Sequence, residues 1–158
     1  MTVWRTLSVA ALLLGLLFGS SPGVGASTYF TKSDDKGAGV FEAGMDDVAR
    51  GHFADAVRAF ETAVKADPKN ADYFSRLGYS YRKSGDYDGA FENYLKALSL
   101  DPTHRGAHEY VGEAYVETGN LAMADQHFAR LADLCPLGCS EYDDLAEFRR
   151  DHAGPAPE

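Results

Sequence analysis

FSRLGYSYRKSGDYDGAFENYLKALSLDP, residues 74–102, decides the architecture of this chain. Phe74, Leu77, Gly78 and Tyr81 recur at steps of three and four, which sets them on one side of a helix. Tyr87, Ala90, Phe91, Tyr94, Leu95 and Leu98 form a second stripe of the same kind. Between the two stripes, Ser84-Gly85-Asp86 reads as a tight turn. Glycine there suits the left-handed backbone that ends a helix, where a side chain costs about 1 kcal/mol. The stretch therefore encodes two antiparallel amphipathic helices. Gly78 and Ala90 are small where the axes approach, and Phe74, Tyr81 and Tyr94 fill the space around them. Asp101-Pro102 closes the unit, because proline has no amide hydrogen to donate and restricts the residue before it.

The same unit recurs on either side. Pro68, Pro102 and Pro136 stand 34 residues apart, and that step is kept by Gly44, Gly78 and Gly112, and by Gly51, Gly85 and Gly119. Ala56, Ala90 and Ala124 keep it too, as do the aromatics Phe60, Tyr94 and Phe128. One helix pair buries too little apolar surface to stand alone, so such units are expected to stack into a continuous core.

The pattern Phe74-x2-Leu77-Gly78-x2-Tyr81, Ala90-x3-Tyr94, Pro102 resembles the tetratricopeptide repeat (TPR) family, and the likeness extends over residues 37–138. It implies an all-α, right-handed α-solenoid of three TPR helix pairs, 37–70, 71–104 and 105–138. The flanking copies depart from the pattern: the first has Val40, Ala43, Gly44 and Asp47, the third His108, Val111, Gly112 and Tyr115. His108, in place of a core aromatic, reads as a packed histidine rather than a ligand. Residues 139–152 open with Ser140-x2-Asp143, the form of a capping box, and continue with Tyr142, Leu145, Ala146 and Phe148 on one apolar side. They are expected to form a C-terminal capping helix over the open end of the solenoid. Residues 27–36 read as a flexible segment and 153–158 as a disordered tail.

The N-terminus has a different character. Arg5 is followed by a run of about a dozen mostly apolar residues from Leu7 to Phe18, and then by Val24-Gly25-Ala26. This is the pattern of a signal peptide over residues 1–26 with cleavage after Ala26. A spanning helix needs about 20 apolar residues, and Gly19, Ser20, Ser21 and Pro22 interrupt this run early. An uncleaved anchor is the alternative. The expectation is a secreted or periplasmic chain of bacterial origin, without membrane insertion once the signal is removed. With 15 Lys plus Arg against 24 Asp plus Glu, the net charge of -9 opposes nucleic acid or anionic lipid as a partner.

In the TPR family the first helix of each pair lines a concave groove that holds a peptide or a partner's surface. Carried onto this sequence, the resemblance offers Phe41, Met45 and Val48 from the first unit, Tyr79, Arg82 and Lys83 from the second, and Glu109, Tyr110, Glu113 and Glu117 from the third. Such a groove grades from apolar through aromatic and basic to acidic, and suits an extended segment or helix of complementary order. The competing reading is packing alone: Arg82 and Lys83 paired with Glu113 and Glu117, Phe41 and Met45 covered by Tyr29 and Phe30. The basic and asparagine set that clamps a terminal carboxylate in chaperone-binding members is not matched.

Cys135-Pro136-Leu137-Gly138-Cys139 holds both cysteines of the chain. They read as a short disulfide that fixes the angle of the capping helix, as a soft-metal or thiol-redox site, or as idle thiols. His104 and His108 lie one helical turn apart, but one falls in a loop and the other in the core stripe. Phosphate loops, His-Glu-x2-His and Gly-x-Ser-x-Gly do not occur. The Asp34-Asp35, Asp46-Asp47 and Asp143-Asp144 pairs read as helix-start and surface residues. The expected function is that of a non-enzymatic interaction module without cofactor or metal, an adaptor or assembly factor in the bacterial envelope, with self-association through its apolar end as a further possibility. The alternative is a small periplasmic metal-binding or thiol-redox protein using Cys135 and Cys139.

Overall fold

The structure, a computed structural model, describes residues 32–153. Residues 1–26, read from sequence as a signal peptide, Tyr29 and Phe30, and the tail beyond Ala153 lie outside the described residues. Seven helices follow one another: α1 (Lys32–Ala49), α2 (Phe53–Ala66), α3 (Ala71–Lys83), α4 (Tyr87–Leu100), α5 (Arg105–Glu117), α6 (Leu121–Leu134) and α7 (Ser140–Ala153). The first begins at Lys32, inside the segment read as flexible from sequence, because a 34-residue step locates buried positions rather than helix ends.

Polar residues start most of these helices and glycines end the first of each pair. Asn70 accepts from the amides of Asp72 and Tyr73, Asp86 from Gly89 and Asn120 from Met123, each satisfying a donor that the first turn leaves unpaired. His104 does the same through Nδ1, 3.2 Å from the amide of Ala107. Gly51, Gly85 and Gly119 turn the chain with φ of 76°, 85° and 78°, a conformation that side chains disfavour.

Helices pair as α1 with α2, α3 with α4 and α5 with α6, and each pair stacks on the next through α2 on α3 and α4 on α5. The core contains Ala56, Phe60 and Leu77 at one level, and Ala90, Tyr94, Val111 and Ala114 at the next. Two glycines set the closeness of the pairs. A Cβ at Gly44 would lie 2.6 Å from the Phe60 ring, and one at Gly78 would lie 2.7 Å from the Tyr94 ring.

The third pair is built differently. A Cβ at Gly112 would lie 2.6 Å from Leu145 of α7, while Phe128 instead stacks on Tyr142 at 4.4 Å. Helix α7 packs more closely on α5 than on α6, with Leu145 fully buried and Arg149 bonded to Asp125 at 2.7 and 3.2 Å. Tyr142, Leu145 and Ala146 stand 34 residues after His108, Val111 and Gly112, so α7 continues the repeat as a fourth first-helix. The expected capping box at Ser140 does not form. The amide of Asp143 donates to the carbonyl of Cys139, which makes Cys139 the residue that precedes the first turn, and the Ser140 hydroxyl lies 3.3 Å from Glu141 instead.

Cys135 and Cys139 are brought into disulfide geometry, with Cα atoms 5.7 Å apart and Gly138 turned at φ 88° between them. A ring this short restricts the unfolded chain little. Replacing both cysteines with serine is expected to lower stability under oxidising conditions by about 2 kcal/mol. Denaturant midpoints with and without reductant check this, since reduction should lower the wild type and leave the variant unchanged.

Candidate protein interaction face

The first helices of the pairs, α1, α3 and α5, present the side chains named from sequence, together with α7. The structure treats the three groups unequally. Phe41, Met45 and Val48 are half-buried against Ala56, Phe60 and Leu77, and Phe41 lies 5.3 Å from the Phe60 ring and 4.7 Å from the Tyr73 ring. They complete the first layer of core rather than forming a free apolar end. A 3.6-residue pitch cannot separate these positions from the buried stripe, because α1 is flanked by both α2 and α3.

Tyr79 and Tyr110 meet at 5.1 Å in the middle of the face, with Phe53 6.3 Å on the other side of Tyr79. Arg76 reaches over from α3, donating from Nη1 to the Tyr110 hydroxyl at 3.1 Å. Lys83 is exposed. Arg82 is only 5% exposed and donates from Nη2 to Glu113. Its Nη1 lies 3.2 Å from Glu117 Oε1, close enough for an ion pair but off the hydrogen-bond direction. The guanidinium carbon lies 5.6 Å from the centre of the Tyr79 ring and 5.7 Å from that of Phe148 on α7. Arg82 is therefore already committed to its own fold, which corrects the expectation of a basic side chain open to a ligand. Burial pushes the Glu113 carboxyl above its usual range even against the opposing pull of Arg82.

Glu109, buried on the same helix, has neither hydrogen bond nor ion pair among the described residues. Burial, with Glu113, Asp144 and Glu141 nearby, pushes its carboxyl up to about 8. Beside it, at the starts of α3 and α5, a polar cleft of about 370 Å³ is lined by Asp72, Asp101, His104, Arg105, Gly106 and Glu141.

Sequence profiles described as tetratricopeptide repeat match residues 41–104 and again 75–138. The chain belongs to the tetratricopeptide repeat family. Protein bimA of Emericella nidulans is 32% identical over 81 residues, which cover 51% of this chain and 10% of that protein. The photosystem I assembly protein Ycf3 of Synechococcus elongatus is 27% identical over 100 residues, 57% of this chain and 58% of its own length. This TPR chain thus spans less than two thirds of these curated relatives. Among solved structures, the first TPR of Spaghetti (RPAP3) bound to an HSP90 peptide superimposes with a TM-score of 0.66 at 19% identity, covering 74% of this chain and 93% of that one. That likeness is one of fold.

Within the TPR frame one feature was not legible from spacing. His108 Nδ1 faces His127 Nδ1 at 2.9 Å, across α5 and α6, and His108 Nε2 lies 3.2 Å from the carbonyl of Pro102. A carbonyl only accepts, so His108 carries its proton on Nε2 and His127 donates from Nδ1. His104 points away to Asp72, 3.0 Å from its Nε2, so the pairing of His104 with His108 considered from sequence is not formed. Burial, and the proximity of His108, holds His127 down to about 4, below its ordinary 6.5. The unfolded chain thus takes up this proton first as pH falls. Stability present above about pH 6.5 is lost progressively toward pH 4, by about 2 kcal/mol at pH 5. Urea midpoints at pH 7 and pH 5 check this, and the fall should shrink in His127→Gln.

Proposed function

We propose that this chain is a non-enzymatic adaptor or assembly factor, exported to the bacterial envelope by cleavage after Ala26, and that it holds a partner's segment along the face of α3, α5 and α7. The observation that carries this reading is the aromatic pair Tyr79 and Tyr110, half-buried beside the buried pair of Arg82 and Glu113, with exposed Glu117 at its edge. Buried ion pairs seldom add net stability over apolar packing. Here the network holds tyrosine rings and carboxylates in fixed positions, as a recognition surface requires. The relatives lend support within their own terms: one is named for an assembly role, and one was solved with a peptide bound. The thiols of Cys135 and Cys139 are proposed to be a structural disulfide set by the oxidising compartment. The test is affinity recovery after brief crosslinking in the envelope fraction, comparing wild type with a folded Tyr79→Ala, Lys83→Glu variant. Loss of one or two proteins from the variant supports the reading, and recovery of the same set by both contradicts it.

A further inference from the structure

The third repeat is short of positive charge. Glu109 is 8% exposed and meets no hydrogen-bond donor and no cation within ion-pair distance among the described residues. Arg76 draws this carboxyl down from beyond ion-pair distance, without offsetting burial and the acidic neighbours. The Arg76 guanidinium is on the Tyr110 hydroxyl, 5.6 Å from the centre of that ring. Arg82 serves Glu113 and Glu117, and Arg105 Nε lies 3.5 Å from Glu141 Oε1. Glu113 on its own helix, and Glu141 and Asp144 on α7, surround Glu109 with further negative charge. A carboxylate taken out of water without a counter-charge is costly, and proteins relieve that cost by neutralising or pairing it.

A polar cleft lies one helical turn away along α5. Gly106, one turn earlier on α5, lines the polar cleft, and a Cβ built there would meet nothing nearer than 3.5 Å. On the cleft wall Asp72, Asp101 and Glu141 outnumber Arg105, with Glu141 set against Arg105 and Asp72 against His104. Among the described residues no three His, Cys, Asp or Glu side chains gather closely enough to hold a metal ion. A side-chain cation on an aliphatic stem fits better, since the stem can line the cleft while the charge reaches the carboxyl.

We propose that Glu109 is the recognition point for a lysine or arginine side chain carried by the segment that occupies this face. The inference rests on the groove reading above and names what that groove selects. Because the carboxyl must ionise to pair, binding releases a proton when the pH lies below about 8, the value to which burial and its acidic neighbours raise it. Affinity should therefore rise with pH, approaching tenfold per unit between pH 6.5 and 7.5.

The experiment is selection of a displayed random dodecapeptide library on the full chain. Calorimetry then follows on the selected peptides, acetylated and amidated so that only side chains carry charge. Enrichment of lysine or arginine at one position is expected, with at least tenfold weaker binding when that residue becomes norleucine. Glu109→Gln should weaken the basic peptide as much, leave the norleucine peptide unchanged and flatten the pH dependence. Glu109→Gln keeps the shape of the side chain, and its fold is checked by circular dichroism. Peptides that bind through Tyr79 without a basic residue, or that are indifferent to Glu109→Gln, overturn the proposal while leaving the groove. Peptides indifferent to Tyr79→Ala, or no selected peptides at all, overturn the groove reading and this proposal together.

Discussion

Replacing Arg82 with methionine is expected to destabilise the fold by about 3–5 kcal/mol, because it leaves the buried Glu113 carboxylate without its ion-pair partner. Glu113 is then a buried carboxylate with Glu117 beside it and only the exposed Lys83 to oppose its charge. Its carboxyl lies above the usual range even with Arg82 present, and loss of the guanidinium raises it further. The unfolded chain ionises Glu113 at its ordinary value while the folded variant resists. The penalty is therefore small in acid and grows as pH rises through the raised folded value. Denaturant unfolding at pH 5 and pH 8 should show this slope. Adding Glu113→Gln to Arg82→Met should recover a large part of the loss, since the carboxylate that carried the cost is gone. An Arg82→Met variant as stable as wild type at pH 8 would show that the network contributes nothing.

Truncating Leu145 to alanine is expected to cost about 2–5 kcal/mol, as for other fully buried leucines whose site cannot collapse. Leu145 is 0% exposed and its methyl groups fill the space over Gly112. That space is occupied in the other pairs by an aromatic of the second helix, Phe60 or Tyr94. Gly112→Ala alone should also destabilise, because the new Cβ would lie 2.6 Å from a leucine with no room to move. Combined with Leu145→Ala, the added methyl enters the cavity. The double variant should then be more stable than the sum of the two losses predicts. If α7 were a loosely attached appendage, Leu145→Ala would change the melting temperature little.

Much of this fold is legible in the order of residues. The 34-residue step places Phe60 and Tyr94 in the core, and Gly85 and Gly119 in left-handed turns. Continued one unit further, the same step marks Tyr142, Leu145 and Ala146 as first-helix positions and foretells how α7 sits. What periodicity cannot show is which charged residues a neighbouring helix will cover. From sequence Arg82, Glu109 and Glu113 are equally groove residues or packing residues, and only the closure of α5 and α7 decides that Arg82 pairs inward with Glu113 while Glu109 is buried without a partner. The meeting of His108 and His127 depends on the approach of two helices and has no local signal. The unequal fates of Arg82, buried, and Lys83, exposed, follow from a rotation of one residue on α3.

On the proposed reading a partner lies along α3, α5 and α7 rather than on the opposite side of the solenoid. A photo-crosslinking side chain placed at Lys83, on a first helix, and separately at Glu92, exposed on α4, tests it in living cells. Both positions are exposed, so either substitution leaves the fold intact. A discrete adduct is expected from position 83, absent from position 92 and lost with Tyr79→Ala. An adduct from position 92 alone, or one from position 83 that survives Tyr79→Ala unchanged, would contradict it.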